Sequence, residues 1–335
     1  MMKMLRYILF PFVPIYYLVT WLRNKLYDLG IKKSKSYHFP VICVGNLSAG
    51  GTGKTPMIEY LITLLKKDYK VATLSRGYKR QTKGFYLADE TATAETIGDE
   101  PFQFYNKFKK DILVAVDADR QNGISELQKQ KNKPEIILLD DAYQHRRVKA
   151  GLNILLTTYA NPYFSDFVLP TGNLRESKDG AKRADIIVVT KCPDELNEST
   201  KASFIKRIRP SENQNVFFSS IRYSDNVISE HSTIELKELS NVTLVTGIAN
   251  AKPLVDFLNS KHLNFEHLNF KDHHGFSQKD IEILKTKTLI ITTEKDFMRL
   301  KHYKSLKDKL FYLPIKVVIE NEEKFNKRIE EFVTN

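Results

Sequence analysis

One stretch constrains this chain more than any other: Gly45-Asn46-Leu47-Ser48-Ala49-Gly50-Gly51-Thr52-Gly53-Lys54-Thr55. Ahead of it lies the apolar run Val41-Ile42-Cys43-Val44, short enough for a buried parallel strand. After it, Pro56 to Lys67 reads as a helix, with proline in the first turn, Met57, Ile58, Leu61, Leu64 and Leu65 on one face, and lysines at the end. Strand, glycine-rich loop and helix together are the context a phosphate-binding loop needs. Gly50, Gly51 and Gly53 allow the backbone to turn its N–H groups around a β-phosphate, and the helix N-terminus adds a favourable field. Residues Ser48, Ala49, Gly50, Gly51, Thr52, Gly53, Lys54 and Thr55 are therefore the expected nucleotide cradle. Lys54 would bridge the β- and γ-phosphates, and the Thr55 hydroxyl would ligate Mg²⁺. Ser48 stands where the general pattern has glycine.

A Mg²⁺-nucleotide site also needs an acid at the end of a neighbouring strand. Ile136–Leu139 followed by Asp140-Asp141 supplies one, at the carboxyl edge where open parallel sheets bind ligands. Adjacent strand residues point to opposite faces, so the two carboxylates should have different roles. Glu100 is a further metal candidate. For a base that activates an acceptor hydroxyl, the candidates near strand ends are Asp99, Glu100, Asp117 and Asp119, with Arg76 and Arg120 available to neutralise phosphate. Thr190-Lys191-Cys192-Pro193-Asp194 follows another strand but lacks the asparagine of a guanine-reading motif, and its aspartate falls one residue late, which favours ATP.

Apolar strand candidates at 41–44, 71–75, 112–116, 136–139, 154–157 and 186–189 alternate with helical stretches. This is the rhythm of an α/β doubly wound, mostly parallel sheet. A second, smaller α/β alternation follows: strand Val242–Val245, helix Pro253–Leu258, helix Gln278–Leu284, and strands Leu289–Thr293 and Phe311–Leu313. Asn215–Tyr223 and Pro314–Ile319 would pair as connectors. The expected division is 1–35, 36–215, 216–320 and a C-terminal helix at 321–335, and 335 residues give room for two cores.

The chain carries a net charge of +12, and half of it sits in residues 1–40, where seven basic residues face Asp28 alone. That stretch also holds nine of the 37 aromatic residues, including the only tryptophan, Trp21. Tyr7 to Leu22 is uncharged but broken by Pro11 and Pro14, and at 16 residues it is short of the ~20 that a spanning helix needs. No small-x-small cleavage site follows, so a removed signal peptide is not expected. The composition suits short helices lying in a membrane interface, with Tyr16, Tyr17 and Trp21 at headgroup depth and Arg23 and Lys25 facing lipid phosphate. The rest of the chain shows no basic, aromatic-interleaved stripe, so nucleic acid is not an expected partner. Cys43 and Cys192 are far apart and in no metal-like spacing, which points to a reducing compartment.

At this point the residues resemble the tetraacyldisaccharide 4′-kinases of lipid A synthesis. The likeness runs through the loop at 45–55, Ser75-Arg-Gly-Tyr78, Gly98-Asp-Glu-Pro101, Asp119-Arg120 and Asp140-Asp-x-x-Gln-His145. It continues in Leu169-Pro-x-Gly-x-Leu-Arg-Glu176, Val189-Thr-Lys191, Asp272-His273 and Thr293-Glu-Lys-Asp296. In that family a serine or threonine at position 48 is usual. The resemblance implies transfer of the γ-phosphate of ATP, with Mg²⁺, to the 4′-hydroxyl of a tetraacyldisaccharide 1-phosphate. The enzyme would be peripheral on the cytoplasmic face of the bacterial inner membrane, with no obligate protein partner. It also implies Asp99 as the catalytic carboxylate paired with His273, alongside Lys54. Arg76, Tyr78, Arg120, Gln144, His145, Arg175 and Glu176 would lie around metal, phosphates and sugar. A membrane-attached nucleotide switch that drives a protein partner is the competing expectation.

Overall fold

The computed structural model describes residues 6–272 and 274–335. Its larger sheet is built from the apolar runs seen in the sequence: β1 (Val41–Asn46), β2 (Val71–Ser75), β3 (Tyr86–Leu87), β4 (Ile112–Val116), β5 (Ile136–Asp140), β6 (Leu152–Thr158), β7 (Ile186–Thr190) and β8 (Asn215–Tyr223). A smaller sheet follows, with β9 (Asn226–Ile228), β10 (Thr233–Glu235), β11 (Val242–Thr246), β12 (Phe265–Asn269), β13 (Leu289–Thr292) and β14 (Leu310–Tyr312). β15 (Ile315–Ile319) then returns to the first sheet.

The first sheet runs β15-β8-β7-β6-β1-β5-β2-β4-β3, parallel from β8 to β4, with an antiparallel strand at each edge. β1 lies between β5 and β6 and is buried along its whole length, which explains its continuous apolar run. Its C-terminal end, where the glycine loop leaves, is thus flanked by the ends of β5 and β6. The second sheet runs β10-β9-β14-β13-β11-β12, parallel from β14 to β12. The 215/216 boundary falls at the start of β8. The two connecting strands, β8 and β15, pair with each other, and β8 continues the first sheet through β7.

The helices that matter for the site are α1 (Val13–Asp28), α2 (Lys54–Leu65), α3 (Asp99–Phe108), α4 (Arg120–Gln128), α5 (Glu198–Ile208), α6 (Lys252–Ser260), α7 (Gln278–Lys285), α8 (Glu294–Leu300) and α9 (Glu322–Thr334). α2 buries Met57, Ile58, Leu61, Ile62 and Leu65 against the first sheet. Phe325, Ile329 and Val333 of α9 join the same cluster. Ile97, Phe102 and Val116 from the first body pack with Val245, Ile281, Ile290 and Phe297 of the second, so one apolar seam is shared between the two sheets.

The N-terminal segment is a 3₁₀ stretch, Tyr7–Phe12, leading into α1. Pro14 sits in the first turn of α1, where its missing N–H has no helical partner to lose. No described helix is long and apolar enough to cross a membrane. Phe12, Ile15, Leu18, Val19, Trp21 and Leu22 are exposed, and Tyr17 and Lys25 also face outward. Two residues depart from expectation. Tyr16 donates its hydroxyl to the Arg175 carbonyl at 2.9 Å, and Arg23 donates to the Gln144 carbonyl at 2.7 Å. Both belong to the docked stripe of α1, at helical spacing with Val13, Thr20, Asn24 and Tyr27, so they face the protein and not lipid.

Candidate active site

The loop after β1 is tied down on three sides. From within, Asn46 Nδ2 donates to Thr52 Oγ1 at 2.8 Å. From the segment before α1's docking site, the Asn173 carbonyl accepts Ala49 N–H at 2.7 Å, the Leu47 carbonyl accepts Arg175 N–H at 2.7 Å, and Ser48 bridges Leu174. That antiparallel bridge is a conformation any L-residue adopts, so position 48 has no need of glycine here. From β7, Thr190 Oγ1 donates to the Thr52 carbonyl at 2.8 Å and Lys191 Nζ to the Gly51 carbonyl at 2.7 Å. Because a trans peptide places N–H opposite C=O, the outward pull on the Thr52 carbonyl turns the Gly53 amide into the loop. Gly53 itself lies at φ +89°, a conformation that favours glycine, and α2 starts at the next residue, Lys54.

Lys54 Nζ stands 3.6 Å from Asp141 Oδ1. Arg175 Nη1 holds both oxygens of the same carboxylate, at 2.8 and 3.0 Å. Burial works against ionisation of Asp141, but Lys54 and Arg175 outweigh it and keep its pKa below the ordinary value. Asp140, one residue earlier, behaves in the opposite way. It is buried at the end of β5, and that burial lifts its pKa to about 6 against the pull of Lys54, with Asp141 and Glu100 adding repulsion. Ser75 Oγ donates to its Oδ2 at 3.2 Å, while its Oδ1 is buried without a hydrogen-bond partner. A buried carboxylate with one unsatisfied oxygen is what a divalent cation would complete. No group of three or more His, Cys, Asp or Glu is clustered like a protein-only metal cage among the described residues.

Arg120 is buried beneath this pair. It donates to the carbonyls of Asp117 and Ala118 at 3.0 and 3.2 Å, and its Nε has no partner. Burial lowers its pKa, with Asp140 and Asp141 opposing and Arg76 adding to the effect. Arg76 and Tyr78 are exposed just past the end of β2. His145 is pushed down to about 4 by burial and by Arg120, so its imidazole is neutral at physiological pH, and its Nε2 is a further buried atom without a partner. Gln144 and Glu176 spend their polar groups on the scaffold. Gln144 Nε2 donates to the Asn46 carbonyl and to Glu176, while buried Glu176 also accepts from Asn24 at 2.6 Å and Arg183 at 2.8 Å.

Asp99 opens α3 after Gly98, and its carboxylate accepts from Arg299 of α8, which also donates to Asp296 at 3.2 Å. Glu100 pairs with Lys295 at 3.3 Å and acts electrostatically on Asp140. The α3 N-terminus, the end of β5 and the start of α8 are therefore one acidic and basic cluster beside the loop. His273 lies outside the described residues. His274 is held by Asp280, Nε2 to Oδ2 at 3.0 Å, and stacks on Phe270. Asp117 and Asp119 are structural: Asp117 accepts Asn122 and the Asp119 N–H, and Asp119 caps α4.

A parallel sheet whose central strand runs into a lysine-bearing amide loop, with acids at the next strand end, places the chain among the P-loop nucleotide-binding α/β proteins. Within that class the chain belongs to the tetraacyldisaccharide-1-P 4′-kinase family, whose profile matches residues 5–334. A relative from Flavobacterium johnsoniae named tetraacyldisaccharide 4′-kinase is 53% identical over 338 residues, covering 99% of this chain and 98% of that protein. One of the same name from Bacteroides thetaiotaomicron is 43% identical over 97% of this chain and 92% of its own length. The crystal structure of "apo" form LpxK from Aquifex aeolicus in complex with ATP superposes with a TM-score of 0.79 at 32% identity, covering 98% of this chain and 99% of that one.

Proposed function

We propose that this chain transfers the γ-phosphate of ATP to the 4′-hydroxyl of a tetraacyldisaccharide 1-phosphate, forming lipid IVA in lipid A synthesis. The observation that carries the proposal is Lys54 at the start of α2, beside Asp141 and the unsatisfied Asp140, in a chain about half identical end to end to a named kinase. The loop amides and Lys54 hold the β- and γ-phosphates. Thr55 and Asp140 are the residues that would hold Mg²⁺, with Glu100 near enough to add charge. The bound ion would neutralise charge on the transferring group. Asp141 orients Lys54 and Arg175, and its remaining lone pairs could add a ligand to the ion directly or through water. Asp99, held by Arg299, accepts the proton of the acceptor hydroxyl as the phosphoryl group transfers.

Arg76, Tyr78 and Arg175 would contact phosphates and sugar, whereas Gln144, Glu176 and His145 shape the wall behind them. A lipid with four acyl chains stays in the bilayer, so the enzyme meets it there through the exposed apolar face of α1, on the cytoplasmic leaflet of the inner membrane. Mass spectrometry of a defined disaccharide acceptor incubated with enzyme and Mg²⁺-ATP tests the proposal. A gain of one phosphoryl group on the distal sugar, with ATP consumed only when acceptor is present, is the expected result. Robust acceptor-independent hydrolysis would favour the nucleotide switch instead.

A further inference from the structure

The motif Leu169-Pro170-Thr171-Gly172-Asn173-Leu174-Arg175-Glu176 touches the phosphate loop only through its second half. Its first half builds a tight outward turn. Leu174 N–H donates to the Phe167 carbonyl at 2.9 Å, and Gly172 N–H to the Val168 carbonyl at 3.1 Å. A Cβ at Gly172 would lie 2.0 Å from the Phe167 carbonyl oxygen, so this close backbone approach requires glycine. Asp166 turns its carboxylate inward, accepting from Phe167 N–H at 2.8 Å and the Asn173 amide at 2.9 Å. The turn is thus braced from several sides, yet the ring it carries, Phe167, is 53% exposed.

The surroundings of that ring are basic and continuous with the apolar N-terminal face. Lys178 Nζ lies 5.9 Å from the Phe167 ring centroid, and Arg207 sits over the neighbouring Phe164. Arg6, which leads into the exposed Ile8-Leu9-Phe10 run, donates to Asn173 at 2.9 Å and accepts from Thr171 at 3.3 Å. The acids nearby are both engaged: Asp166 within the turn, and Asp179 with Lys182.

We propose that Phe167 is a second bilayer anchor, inserted among anionic lipids beside the N-terminal segment. The inference rests on the membrane association of α1 argued above and adds a separate contact to it. Its consequence is geometric. The residues between Phe167 and Leu174 join the bilayer directly to Ser48 and Ala49, so the phosphate loop is held at a fixed, short depth beneath the headgroups. An acceptor hydroxyl on a lipid-borne sugar then meets the nucleotide without the lipid leaving the membrane. An exposed aromatic ring flanked by ammonium and guanidinium groups has the chemistry that an anionic interface takes up.

Tryptophan fluorescence separates the two contacts, because Trp21 is the only native indole. The wild-type protein and a W21F/F167W variant would each be mixed with phosphatidylethanolamine/phosphatidylglycerol vesicles, with and without brominated acyl chains. The expected result is a blue shift and several-fold quenching of both indoles, and a several-fold loss of vesicle co-sedimentation in F167D, whose unfolding midpoint stays at the wild-type value. Quenching of Trp21 with the F167W indole left solvent-like would overturn this proposal and leave the association of α1 standing. If neither indole is quenched, both fall together.

Discussion

Two neighbouring carboxylates at the end of β5 carry opposite pKa shifts, and this sets what each can do. Asp140 has a folded-state pKa of about 6 against an ordinary 3.8. The folded protein then binds a proton that the unfolded chain releases, so without metal this group's stabilisation falls as pH rises from about 4 to about 6 and stays lost above that. At roughly 1.4 kcal/mol per unit, ionised Asp140 costs up to about 3 kcal/mol at neutral pH. Asp140→Asn should therefore raise the unfolding midpoint of the ligand-free protein at pH 7.5 and leave it nearly unchanged at pH 4. The variant should also lose the extra stabilisation that Mg²⁺-ATP gives the wild type, which calorimetry with and without Mg²⁺ measures. Lys54→Ala leaves Asp141 with Arg175, so the fold should persist while phosphoryl transfer drops to background in a radiolabel assay. Asp99→Ala leaves Arg299 with Asp296, and should lower kcat by a factor of 10² or more while changing ATP affinity little. A pure KM effect on ATP would reassign Asp99. Lys191 and Arg299 did not stand out in the sequence as site residues. Lys191 was legible as part of a failed guanine-reading pattern and of the family stretch Val189-Thr-Lys191, with no role attached, and Arg299 reaches Asp99 across 200 positions, a pairing that no local spacing encodes.

At the scale of elements, legibility followed burial. All six long apolar runs became strands of the first sheet, because a strand covered on both faces needs apolar residues throughout. The polar stretch after β7 folds as α5 over Glu198–Ile208, where Asn197 caps it by accepting Thr200 N–H. What escaped were edge pieces with mixed patterns. β12 (Phe-Glu-His-Leu-Asn) is half exposed, and β9, β10 and β3 are two or three residues long. α1 shows the same limit: its aromatic and basic content announced an interface, but its docked stripe pairs with residues more than a hundred positions away. That docking depends on Glu176, a buried carboxylate satisfied from three directions. Asn24→Leu removes the 2.6 Å donor while preserving helical character, and should cost about 1–2 kcal/mol. The loss should be concentrated in α1, seen as faster amide exchange across 13–28 with protection of β1 and β5 unchanged.

On the scale of the whole molecule, one ammonium group joins the nucleotide-binding helix to the second sheet. Lys107 of α3 donates to Glu59 of α2 at 2.6 Å and to Glu294, the first residue of α8, at 3.1 Å. Gln103 completes Glu59 at 2.8 Å. Both carboxylates are buried, and burial together with Glu59 lifts Glu294 to about 7. Burial disfavours charge on Lys107 as well, yet the two acids outweigh it and raise its pKa. The network fixes α2, which begins at Lys54, relative to α3, which begins at Asp99, and binds both to the helix that supplies Arg299. Lys107→Met keeps most of the aliphatic stem and strands two buried acids, which should cost about 2–3 kcal/mol at pH 8. Glu294 already has a raised folded-state pKa, and loss of the ammonium raises it further, so the mutant takes up a proton on folding and its deficit should shrink as pH falls towards 5.5. Thermal melts of wild type and mutant at pH 5.5 and 8 measure this directly. A deficit independent of pH would mean that Lys107 acts through its packing alone. With the fold retained at pH 6, kcat should still fall, because the two helix starts that carry Lys54 and Asp99 would no longer share a common brace, and in-line transfer tolerates little misplacement between phosphate and base.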